Sequence, residues 1–224
     1  MAKLNSLFKY DGTFQGVTVV RSRAYGHHIR KARTKFTLSE EMKQSTDFMK
    51  EANVYAKAFK DAIDPYRRDF RDGFLWQRLV SLFKKQLKEK GLADFKVLDG
   101  VELNKFYPLS RIVFTNAQVS QSEGVLRVLA TSTYKQDPTK GRADGYQQTL
   151  IILFVDNTLQ MQSFSESVQI SLAAGHCEQE VTWTIPDNAT TAILVTKCNF
   201  SLNNKPMSLL KGMGMRVEKV VGVS

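Results

Sequence analysis

At Gly91 the hydrophobic period of this chain changes, and that change decides most of what the chain can fold into. Before it, Met42, Met49, Ala52, Ala56, Phe59 and Ile63 recur at steps of 7, 3, 4, 3 and 4. That is the spacing of one face of an α-helix, widened here by Phe48 and Tyr55. Thr37-Leu38-Ser39-Glu40 offers a capping box, with Ser39 an equally good N-cap. Asp64-Pro65 ends the run, because a residue before proline avoids the α region. A second helix opens at Asp72, buries Leu75, Trp76, Leu79, Val80, Leu82, Phe83 and Leu87, and stops at Gly91. Two helices joined by so short a link predict an antiparallel helical hairpin over 36–91.

After Gly91 the pattern has period two. Asp99-Gly100, between Phe95–Leu98 and Val101–Asn104, predicts a tight hairpin with a type I′ turn. Further strands are expected at Leu109–Asn116, Gly124–Tyr134, Tyr146–Asp156, Thr158–Leu172, Glu180–Ile185, Thr191–Phe200 and Gly212–Val221. Strands at this spacing, with no helix between them, predict an antiparallel β-sandwich over 92–224, immunoglobulin-like or jelly-roll-like. Its core would draw on Val113, Val128, Ile151, Leu153, Val168, Ile170, Val181, Trp183, Ile193 and Val195. The expected fold class is therefore α+β.

The first 35 residues fit neither pattern. Lys3, Lys9, Arg21, Arg23, Arg30, Lys31, Arg33 and Lys35 face one acid, Asp11, so this segment carries +7 of the chain's net +10. Residues 36–91 carry +3 and residues 92–224 carry none. Val17–Arg23 and His27–Arg33 flank Ala24-Tyr25-Gly26, which predicts a β-hairpin within an extended basic arm. A two-stranded ribbon is marginal by itself in water. A charge brush would not need Phe14, Val17, Val19, Val20 and Ile29, and those residues suit docking on another sheet's edge. The candidate binding residues are Arg21, Arg23, Tyr25, His27, His28, Arg30, Lys31, Arg33 and Lys35. The cations would neutralise phosphates, and Tyr25, His27 and His28 could stack on bases.

Leu98-Asp99-Gly100-Val101-Glu102-Leu103-Asn104, with Pro108-Leu109-Ser110 after it, resembles a junction found in a group of uncharacterised Bacteroidota proteins. Val20-Arg21-Ser22-Arg23 and the helix from Ser45-Thr46-Asp47-Phe48 resemble the same group. The resemblance implies a basic N-terminal segment, a helical block and a β-rich C-terminal half. It implies no activity.

No catalytic or metal-binding pattern forms in the sequence. His27-His28 and His176-Cys177 are adjacent pairs, which point to opposite faces of a strand; no zinc-type spacing accompanies them. Cys177 and Cys198 read as reduced thiols. There is no nucleophile elbow, and Gly212-x-Gly214 precedes a strand, so no phosphate-binding loop fits. Glu178 and Glu180 read as solvated edge charges, and Met207, Met213 and Met215 as core filling. No cofactor or small-molecule substrate is indicated. The first residues lack the apolar stretch of a signal peptide, and the run Leu150–Val155 is too short to span a bilayer. The expectation is a cytoplasmic or virion protein that is not an enzyme. It would be a structural subunit of a homo-oligomer or larger assembly, virion-like or filament-like. The alternative is a nucleic-acid-binding protein acting through the arm without sequence choice. An enzyme with a spatially assembled site in the strand-rich half is the third reading.

Overall fold

Ser39 caps the first helix: its Oγ accepts the Met42 N–H at 3.3 Å, while Thr37, the other candidate, lies outside the described residues. In the computed structural model, which describes residues 12–14, 17–22, 26–31, 39–67, 72–135, 143–203, 205–206 and 213–223, helix α1 runs Glu40–Ile63 and helix α2 runs Leu75–Lys90. Gly91 ends α2 in the left-handed conformation (φ 73°) and donates to Leu87 O at 2.9 Å, a closure only glycine makes without strain. The two helices form the expected hairpin, with Tyr55 of α1 set between Phe83 and Phe95 at centroid distances of 5.5 and 5.2 Å. The buried stripe of α1 is shorter than its sequence period: it begins at Ala52, while Met42 and Met49 are exposed.

The chain divides into two compact units, Met1–Ser45 and Thr46–Ser224. The first contains β1 (Gly12–Phe14), β2 (Val17–Ser22) and β3 (Gly26–Lys31) in one sheet of order β1-β2-β3. The hairpin is present, from Val17↔Lys31 to Ser22↔Gly26, and β1 adds a third strand that the sequence did not announce.

In the second unit, β4 (Val113–Ser122), β5 (Val125–Tyr134) and β8 (His176–Thr184) make a three-stranded antiparallel sheet of order β4-β5-β8. A five-stranded sheet contains β6 (Gly145–Asp156), β7 (Met161–Ser171), β9 (Ala189–Leu202), β10 (Lys205–Pro206) and β11 (Met213–Gly222). Its order is β10-β9-β6-β7, with β11 also on β9. Alternation sorts the side chains of β6 and β9 onto two faces. Ile151, Leu153, Val155, Ile193 and Val195 share a core with α1, α2, Met213, Met215 and Val217. Leu150, Ile152, Phe154, Ala192 and Leu194 share another with Leu126, Val128, Val181 and Trp183 of the smaller sheet. The helices therefore have no core of their own; they complete the core of the larger sheet.

Phe95–Leu98 is not a strand. Asp94 caps it by accepting the Lys96 N–H at 3.1 Å, and the four residues wind into a 3₁₀ turn. Asp99 (φ −51°, ψ 125°) and Gly100 (φ 72°) then make a type II turn closed by Val101 N–H to Leu98 O at 3.0 Å, replacing the expected type I′ hairpin. The next residues run along the outer edge of β11. Gly100 N–H donates to Val217 O (3.0 Å), Val217 N–H to Val101 O (3.0 Å) and Leu103 N–H to Met215 O (2.7 Å).

Candidate functional site

Of the predicted binding residues, Arg23, Tyr25, Arg33 and Lys35 lie outside the described residues. The others lie on β2 and β3. Register sets Arg21 opposite His27, Val20 opposite His28, Thr18 opposite Arg30 and Val17 opposite Lys31. The two histidines thus take different cross-strand partners. His28 is half-buried and Lys31 exposed. Val17 and Ile29 are 38% and 41% exposed, although Ile29 faces Val19 across the ladder. Three short strands cannot bury even these few apolar residues among themselves.

A surface that sequence periodicity missed lies on the other unit. β7 ends the five-stranded sheet, and among the described residues it pairs with β6 alone, without a register break from Gly145↔Ser171 to Val155↔Met161. Residues 162–167 are exposed on both faces of the strand. Phe164 keeps an edge-on contact with Phe154, with ring centroids 6.0 Å apart, yet is 43% exposed. The serine-rich sequence MQSFSESVQIS reads as one half-buried strand; its place at the end of a sheet is set by residues far along the chain.

The ionisable groups that are buried do structural work. Arg216 bonds to Glu218, which occupies the β-bulge between Val217 and Lys219 and is thereby turned inward. The Glu102 carboxylate accepts the Leu109 N–H at 2.8 Å, and its backbone forms a β-bridge with Arg216 of β11. Burial pushes both Glu102 and Glu218 above the ordinary carboxylate range, only partly opposed by Arg216 and, at Glu102, by the Leu109 amide. Folded-state values above the unfolded ones mean that this pair's contribution to stability is present at low pH and is lost as pH rises through the folded values. Asp72, whose side chain is 0% exposed, binds Arg78 at 2.6 Å and accepts the Phe74 N–H at 2.9 Å. Arg78 also reaches Glu102 O at 2.8 Å, so the pair ties α2 to the segment beside β11.

A groove of about 610 Å³ follows the outer side of α2, between Phe74, Leu82 and Val101, with Arg78, Lys85 and Lys105 around it. Among the described residues its lining holds no carboxylate, thiol or imidazole. Among the described residues no group of three or more metal-ligating side chains gathers. Cys198 is wholly buried, and burial raises the thiols of Cys198 and Cys177, away from the thiolate that chemistry at sulfur requires. Met213 and Met215 are core residues, as expected, and Met207 lies outside the described residues. Glu178 and Glu180 are exposed, and Glu180 pairs with Arg127. No helix among the described residues is long and apolar enough to cross a membrane.

No protein-family model matches the chain, and no curated protein matches it. Among solved structures it is similar to a penta-heme cytochrome c552 from Thermochromatium tepidum, at 9% identity and a TM-score of 0.33, over 51% of this chain and 40% of that one. It is also similar to CsgH of R. palustris, at 10% identity and a TM-score of 0.25, over 45% of this chain and 99% of that one. A third likeness, to the CC2D1B protein that coordinates ESCRT-III activity in nuclear-envelope reformation, has 7% identity and a TM-score of 0.25, over 81% of this chain and 71% of that one. Similarity this low says nothing about what the chain does.

Proposed function

We propose that this protein is a non-enzymatic structural subunit of a larger assembly, virion-like or filament-like, whose N-terminal sheet contacts neighbouring subunits or a polyanion. One observation carries the reading: β1, β2 and β3 belong to a separate small unit that leaves Val17 and Ile29 exposed. Such a sheet is stabilised by apolar cover that it does not supply itself. In this reading the second unit is the body, a β-sandwich of immunoglobulin-like or jelly-roll-like kind backed by the helical hairpin. Among the described residues every buried core residue lies between Ala52 and Val223, so the three cores should survive removal of residues 1–35. Deleting 1–35 is expected to leave a folded monomer, while the full chain sediments as an oligomer. Full-size assemblies from the truncated protein would refute the proposal.

The charge of the β2–β3 hairpin favours a second reading, a nucleic-acid-binding protein without sequence choice. Neutralising about five to eight phosphates would make binding fall by roughly three orders of magnitude or more between 50 and 200 mM salt. Replacing Arg21, Arg23, Arg30, Lys31 and Arg33 together with glutamine should flatten that dependence. The check is a titration of single-stranded and duplex DNA and RNA at both salt concentrations; no binding at the lower one would end this reading.

A further inference from the structure

We propose that β7 is an acceptor edge, and that its occupant is strand β3 of a second copy of this chain. The proposal rests on the assembly reading above and names the surface it uses.

Edge strands in soluble proteins are usually blunted by lysine, proline, a bulge or a covering segment. Among the described residues β7 pairs with no strand but β6, its eleven residues include no proline and no base, and its register with β6 is unbroken. The opposite side of the same sheet shows the contrast, for the outer edge of β11 is covered by residues 100–103. β4 also ends a sheet, but Thr115 O on it accepts a hydrogen bond from Arg216.

Charge selects the occupant. β7 passes through the turn at 172–175 into β8, the end strand of the other sheet, so two end strands share one flank. Glu166, Glu178 and Glu180 are exposed there, neither strand contains a lysine or arginine, and Glu180 pairs with Arg127 of the adjoining β5. Among the described residues β3 is itself the end strand of the N-terminal sheet. It brings Arg30 and Lys31, a partly exposed Ile29 to set beside the partly exposed Phe164, and a further base, Arg21, on the adjoining β2. Main-chain hydrogen bonds would supply affinity, and the apolar and charged pairs register and partner choice. A β7–β7 pair would gain the hydrogen bonds but would bring two acidic flanks together.

Complementation between two defective chains tests this. The acceptor-only chain lacks residues 1–35. The donor-only chain carries Ser165→Pro or Glu166→Pro; amides alternate along a strand, so one proline removes an outward donor and the other breaks the β6–β7 ladder. The variant that keeps the wild-type melting temperature is used. In sedimentation velocity the full chain is expected to form oligomers, each defective chain to stay monomeric, and an equimolar mixture to give a one-to-one pair. Self-association of the acceptor-only chain would overturn the choice of β3, as would a mixture that fails to pair. If the donor-only chain assembled like the full chain, β7 would be excluded while the assembly reading stood. A full chain monomeric at all concentrations would remove both.

Discussion

Gly214→Ala is expected to lower the stability of the body by about 3 kcal/mol, at the upper end of what overpacking costs. Gly214 lies in β11 opposite Cys198, and a Cβ built there would stand 2.5 Å from Leu109 Cα, 2.9 Å from Leu109 N and 3.0 Å from Leu109 Cδ1. Two of those atoms are backbone, and that backbone is fixed: Glu102 holds the Leu109 N–H at 2.8 Å, and Leu109 O takes the Ile112 N–H at 2.8 Å. A flexible side chain could swing aside; this turn cannot without breaking those bonds. Gly222, in the same strand, is the control. Its nearest atom is Thr190 O at 4.0 Å, ordinary contact, so Gly222→Ala should change the urea midpoint little. Equal midpoints for the two variants would show that the 109–112 turn is not packed on β11 as described.

Asp72→Ala should cost about 3–5 kcal/mol, the range for breaking a buried ion pair by removing one partner. The carboxylate is fully covered, and its loss strips a charge partner from Arg78 and an acceptor from the Phe74 amide. The segment that Arg78 grips through Glu102 O and Leu103 O is the same one that lines β11, so the loosening should spread along that edge. Amide hydrogen exchange should quicken at Gly100, Leu103 and Val217 before it does at Ile152 or Leu194. Asp72→Asn, which keeps an acceptor for Phe74, should lose less. The exposed Lys85–Glu89 pair at 3.8 Å sets the other end of the scale, and Lys85→Ala should shift stability by under about 1 kcal/mol. Similar losses from Asp72→Ala and Lys85→Ala would contradict this account.

Much of the body was legible because its signals are local. Ser39 and Gly91 mark helix ends through hydrogen bonds that each makes within four residues. β5, β6 and β9 were placed within two residues of their observed ends by their apolar content and flanking turns. The errors arose where a distant partner decides. Asp-Gly serves a type I′ or a type II turn equally well, and β11, more than a hundred residues later, takes the hydrogen bonds that a local hairpin would have used. Met42 and Met49 continue the helical period, but what covers a stripe is not written in its period. The same limit hid β7. Its alternation of serine with Phe164, Val168 and Ile170 is that of a half-covered strand, and nothing in the strand itself says that only one neighbour will arrive. The basic hairpin was read from β-branched residues around a glycine turn, whereas β1 has only three residues and left no pattern to find.

The chain's own cover over β11 also bears on how an assembly of these subunits could be stopped. With that flank shut, the pairing proposed above would use one vacancy per molecule, on β7, and one plug, β3. A polymer built from such units has unlike tips, one showing a vacancy and the other a plug. A small admixture of molecules with the plug but no vacancy would halt elongation at the tip they occupy. Length would then follow the ratio of the two kinds of molecule, not their total concentration.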